Sequence, residues 1–259
     1  MPDRPQAIAS AACFAISLRR RQTCKVGARE RRMASSDITY TTRAGETFTG
    51  RLSTPKGGGK APGILLITAI FGIDKEMEDL ADAWAADGFI VSTPDIFWRQ
   101  IPGPTADMET AFKRYNDFDF DQGIKDIEDL VNDLRSRPEC NGKVGVLGFC
   151  FGGRYAHLAA SRFGADAAGA FHGTLIGKHL DETDSVKCPV SFHFGADDPV
   201  VPQEEVAAIQ KSYASHTNAE IVVHAGASHN FSMPQKQGYH PQAAAAARAA
   251  VLKAFNTMK

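Results

Sequence analysis

Between Gly63 and Asn256 the apolar positions fall into two alternating kinds of segment. Short unbroken runs such as Gly63-Ile64-Leu65-Leu66-Ile67-Thr68 have the length and β-branching of strands buried on both faces. Longer stretches between them repeat their apolar residues at helical spacing. Met77, Leu80, Ala81 and Trp84 form one such stripe over 76–87, and Ile124, Ile127, Leu130, Val131 and Leu134 form another over 120–136. Gly88 stands where a helix C-terminal cap belongs. The alternation predicts further strands over 89–93, 144–148, 165–171, 190–194 and 220–224, and further helices over 152–162, 203–214 and 241–256. Thr39 to Leu52 reads as a hairpin around Ala44-Gly45, while 101–116 gives no readable element and is taken as a loop.

Strands that alternate with helices imply βαβ units, hence a mostly parallel central sheet with helices on both faces in a single α/β domain. Chemistry is then expected beyond the carboxyl ends of the strands. The chain has 259 residues, enough for one such domain with a well-buried core. At 43% hydrophobic, 23% charged and a net charge of -1, it shows neither the basic excess of a nucleic-acid binder nor the composition of a disordered chain. It has no run of 18 apolar residues, so no membrane partner is expected.

The charge is unevenly spread. Residues 1–33 hold eight Lys or Arg against Asp3 and Glu30, a surplus of +6 that leaves -7 for the rest. That segment reads as a targeting peptide, a disordered basic tail, or an over-extended start ahead of Met33, and the fold is assigned to 34–259. The five cysteines show no CxxC pair and no metal spacing. Such a sparse, odd set suits reduced thiols, so a cytoplasmic location is expected, or an organelle if 1–33 is a transit peptide.

One cysteine has a setting of its own. Gly148-Phe149-Cys150-Phe151-Gly152 joins the predicted strand 144–148 to the predicted helix, in the Gly-x-Cys-x-Gly spacing of a nucleophile elbow. The glycines remove side chains that would collide in so tight a turn. The helix N-terminus favours a thiolate, and the N–H of Phe151 is the natural first donor of an oxyanion hole. A buried small cysteine in a Gly-rich turn is the plain alternative.

A thiol nucleophile needs a base, and the base needs an orienting acid; in this order of elements both follow the nucleophile, the acid first. Asp197 and Asp198 lie in the turn after the 190–194 strand, and Asp198, followed by Pro199-Val200-Val201-Pro202, sits deeper in it. His229 lies in a small-residue loop past the 220–224 strand, and His193 and His224 sit inside strand patterns as structural residues; His172 is also near a strand end.

Residues 62–259 resemble the dienelactone hydrolase (carboxymethylenebutenolidase-like) family of the α/β-hydrolase superfamily. The resemblance is carried by Ala69-Ile70-Phe71-Gly72, Pro94-Asp95-Ile96-Phe97-Trp98-Arg99-Gln100, the Cys150 elbow, the Gly195–Pro202 turn and the His229 loop, in that order. It implies a Cys150–His229–Asp198 triad, a second oxyanion donor in the N–H of Ile70, and substrate contacts from Phe71, Trp98 and above all Arg99, which would clamp a carboxylate. It implies a small-molecule ester or lactone substrate, a thioester acyl-enzyme, no cofactor and no metal, and a monomer is expected. Two positions depart from the family pattern: Ala69 replaces a thiol-contacting glutamate, and Met233 and its neighbours supply no arginine past the histidine. These departures leave open a weakly active protein of the same fold that serves as a binding or regulatory module. A redox role for Cys150 would need a resolving cysteine, and neither Cys140 nor Cys188 is well placed.

Overall fold

The computed structural model describes residues 34–259; the basic segment 1–33, with its competing readings, lies outside the described residues. Eight strands form one sheet: β1 (Ala34–Thr41), β2 (Thr47–Thr54), β3 (Ala61–Ile67), β4 (Ile90–Pro94), β5 (Cys140–Phe149), β6 (Ala167–Phe171), β7 (Val190–Gly195) and β8 (Ala219–His224). Their spatial order is β1-β2-β4-β3-β5-β6-β7-β8. The β1–β2 hairpin joins antiparallel to β4, and every pairing from β4 to β8 is parallel. Among the described residues six α-helices accompany them: α1 (Lys75–Ala86), α2 (Met108–Asn116), α3 (Phe120–Ser136), α4 (Gly153–Arg162), α5 (Gln203–Tyr213) and α6 (Pro241–Phe255).

The sheet is buried on both faces, as the unbroken apolar runs require. In β3, Leu65 and Ile67 join the core layer of Ile127, Leu130, Ala156 and Ile209 from α3, α4 and α5. Ile64 and Leu66 point the other way, into the layer of Met77, Trp84, Val251 and Phe255 from α1 and α6. This is the mostly parallel, doubly covered sheet that the alternation predicts, and the α/β-hydrolase fold that the resemblance implies. None of the helices among the described residues is long and apolar enough to cross a membrane.

The topology also places the site. From β3 the chain passes to β4 on one side, then returns past β3 to β5 on the other. The carboxyl ends of β3 and β5 therefore flank a switch point, where open α/β sheets bind their ligands. The Ala69–Gly72 loop leaves β3 there, and Cys150 follows β5.

Candidate active site

Cys150 follows β5 directly, in a single 3-10 turn (Cys150–Gly152) that runs into α4. Its φ is 49°, a left-handed conformation that costs a non-glycine residue about 1–3 kcal/mol. Close backbone approach supports that turn. A Cβ on Gly148 would run into the Gly152 carbonyl, and one on Gly152 into the Ile67 carbonyl. The Cys150 carbonyl is fastened by the Thr174 N–H at 2.9 Å. Phe151 is fully buried among Phe97, Tyr115, Phe118 and Tyr155, with ring centroids 5.0–5.8 Å away, so the backbone beside the thiol is held by packing.

Asp198 and His229 meet across the ends of β7 and β8. One carboxylate oxygen of Asp198 accepts from His229 Nδ1 at 2.8 Å; the other accepts the N–H groups of Val200 and Val201 at 2.7 and 3.1 Å. Asp197 is exposed and does not take part in this arrangement, whereas the Asp198 side chain is fully buried. Burial alone would push His229 down. The Asp198 carboxylate, together with the nearby Cys150 sulfur, outweighs it and raises the ring to about 9. His229 Nε2 is buried and has no partner of normal hydrogen-bond geometry among the described residues, which leaves it free to exchange a proton with the nearby sulfur.

A second histidine completes the surroundings. His172, at the end of β6, is fully buried with its ring centroid 4.6 Å from that of His229. Burial first, and then the neighbouring His229, hold it well below the ordinary histidine range, so it stays neutral. Among the described residues, the non-glycine residues with positive φ are Cys150, His172 and Leu175. Cys150 and Leu175 line one cavity, and His172 packs behind its histidine, so the backbone strain of the domain gathers at this site.

That cavity encloses about 200 Å³ between Ile70, Phe112, Tyr115, Cys150, Phe151, Thr174, Leu175 and Val200. It brings Ile70 and Phe151, the two expected oxyanion donors, to the side of the thiol. The residues expected to contact substrate are placed differently. Arg99 does not line the cavity: it pairs with Glu46 at 2.6 Å and Asp126 at 3.2 Å and lies over the Trp98 ring at 3.9 Å. Two carboxylates thus already occupy the expected carboxylate clamp. Trp98 stacks on Phe48 at 4.9 Å, away from the lining, and Phe71 lies under the Lys236 ammonium, which pairs with Asp74. Of the residues that do form the walls, Phe112 and Tyr115 come from α2, inside the stretch taken from sequence as a loop.

The sequence profile of the Dienelactone hydrolase family matches residues 48–259. The chain belongs to the dienelactone hydrolase family. A carboxymethylenebutenolidase of Pseudomonas putida is 31% identical over 222 residues, covering 83% of this chain and 93% of its own. A Klebsiella pneumoniae structure assigned as a dienelactone hydrolase superposes with a TM-score of 0.76 at 26% identity, over 86% of this chain and 99% of that one. A dienelactone hydrolase-like promiscuous phosphotriesterase from metagenomic libraries shares the fold, with a TM-score of 0.74 at 22% identity over 87% of this chain and 98% of that one. This dienelactone hydrolase family member is accordingly a hydrolase of lactones or carboxylic esters.

Proposed function

We propose that Cys150, His229 and Asp198 form a nucleophilic triad that cleaves its lactone or ester through a thioester. The observation that carries this reading is the fixed Asp198–His229 pair at 2.8 Å, set against a cysteine in a strained elbow. With the thiol proton passed to His229, the sulfur attacks the carbonyl carbon. The N–H groups of Phe151 and Ile70 hold the oxygen that becomes negative. As the C–O bond breaks, the alkoxide takes the proton from His229 and leaves a thioester on Cys150. Water then gives a proton to His229 and attacks; collapse expels the thiolate and releases the acid. Asp198 holds the imidazole in one tautomer and stabilises its cation. All of these groups come from one chain, so a monomer suffices.

The cavity favours an acyl group without charge. Its walls are apolar or hydroxyl-bearing, and Arg99 is already neutralised outside it. Within the expected class of lactones and esters, these walls support a neutral substrate over an anion clamped by Arg99. A redox role has less support: Cys140 starts β5, about 30 Å of extended strand from Cys150, and burial pushes the Cys188 thiol up to about 12.

Turnover of p-nitrophenyl acetate by Cys150→Ala tests the triad: loss of activity is expected, and retained turnover defeats the assignment. Matched esters with and without a terminal carboxylate test the substrate reading. The neutral member should show the higher kcat/KM, and Arg99→Ala should leave that preference unchanged. An Arg99-dependent preference for the anion would restore the carboxylate clamp.

A further inference from the structure

Helix α2 buries an arginine that no part of the reaction above uses. Arg114 is 0% exposed and forms no ion pair among the described residues. Its Nε donates to the Ile70 carbonyl at 2.7 Å. One terminal nitrogen donates to the carbonyls of Gly103 at 2.7 Å and Ile101 at 3.3 Å. The guanidinium carbon lies 4.5 Å from the Phe97 ring centroid, and the remaining terminal nitrogen is buried without a partner.

A buried cation is a costly way to fill space; an apolar residue of the same volume does so with less desolvation. What arginine adds is a rigid planar fork that can tie several acceptors at once. Here the fork ties the Ala69–Gly72 loop to the 101–103 segment. Asp95 reinforces the second anchor, since its carboxylate accepts the Gly103 N–H at 2.6 Å. The first loop is itself closed by Gly72 N–H on the Ala69 carbonyl at 3.1 Å, with Gly72 at φ 76°. A Cβ there would stand 2.9 Å from the Gly103 carbonyl and 3.2 Å from the Arg114 guanidinium. The anchor fills the room that the glycine leaves.

We propose that Arg114 is a positioning residue for the oxyanion hole. Holding the Ile70 carbonyl fixes the peptide planes of the loop, and with them the direction of the Ile70 N–H. Arg114 touches no reacting atom. The proposal rests on the reading of Ile70 as a donor, and Tyr115, the next residue, lines the same cavity.

Two reactions of the same thiol separate this role from general support of the site. Acyl transfer builds an oxyanion. Alkylation by iodoacetamide does not: sulfur displaces iodide at a saturated carbon, and no carbonyl oxygen takes up charge. In Arg114→Met, kcat/KM for p-nitrophenyl acetate should fall about 100-fold, the loss expected from roughly 1 Å of misplacement. The rate of Cys150 alkylation should stay within about twofold, because the elbow is untouched. Arg114→Lys, which keeps the charge but gathers its donors on one nitrogen and cannot span both segments as the planar fork does, should lie between Met and the parent in acyl transfer and match the parent in alkylation. Parallel loss of both reactions in a folded variant, or unchanged acyl transfer, overturns the proposal. If Arg114→Met does not fold, the Lys variant decides by the same two readings. Failure of the triad itself would show separately, as turnover retained by Cys150→Ala.

Discussion

Two adjacent aspartates show how far one residue's role depends on its surroundings. Asp197 and Asp198 are alike in sequence, but only Asp198 is buried, and it spends both oxygens on fixed donors. An amide at 198 keeps the shape but loses the negative charge that holds His229's proton on Nδ1. Asp198→Asn should therefore lower kcat/KM for p-nitrophenyl acetate by about 10³–10⁴-fold. Asp197→Asn, in solvent, should stay within about twofold of the parent. Similar losses at the two positions would remove Asp198 from the triad. The positions of the proposed nucleophile, acid and histidine, in that order, were legible in the sequence because each residue follows a strand with a recognisable period. His172 was not singled out. Its nearness to His229 arises from the packing of β6 against later loops, and no local pattern records it.

At the scale of elements, α2 separates what the sequence shows from what it hides. Asp107 caps it through the Thr110 N–H at 2.7 Å, so a start signal was present. The periodicity failed because the helix is inverted: Arg114 points inward, fully buried, while Met108 and Phe112 are 49% and 50% exposed. An apolar stripe could not be read where the apolar residues form a cavity rim and a cation forms the anchor. Phe112→Ala should then cost little stability, within about 1 kcal/mol, yet raise KM for esters with long acyl chains. Phe151→Ala, by contrast, removes a fully buried ring and should cost about 3–5 kcal/mol in urea unfolding. A large stability loss at Phe112 with unchanged KM would contradict its place on the rim.

Across the whole molecule, histidines set a pH window. His229 is raised to about 9 from an unfolded value near 6.5, so between those values the folded state binds the extra proton. Its contribution to stability is complete below about pH 6.5 and lost as pH rises through about 9. His193 has the opposite sign. Burial, followed by the neighbouring His224, lowers it to about 3, and its contribution is lost as pH falls below about 6.5. Unfolding midpoints in urea should fall on both sides of near-neutral pH. His229→Gln should flatten the alkaline side, and an unchanged alkaline limb would show that His229 does not hold its proton there.

By itself, the sequence determined the alternation of strands and helices, the elbow at Cys150 and the loops that carry Asp198 and His229. Those features are written in local period and turn chemistry, which neighbouring residues impose on one another. Tertiary structure alone decided which charges meet. Arg99 was a plausible carboxylate clamp until the fold set Glu46, 53 positions away, and Asp126, 27 away, against it. Arg114 had no role until folding brought it to the Ile70 carbonyl, 44 positions earlier in the chain. A charge is available for a substrate or spent inside the protein according to its neighbours in space, and those neighbours exist only once the sheet has assembled.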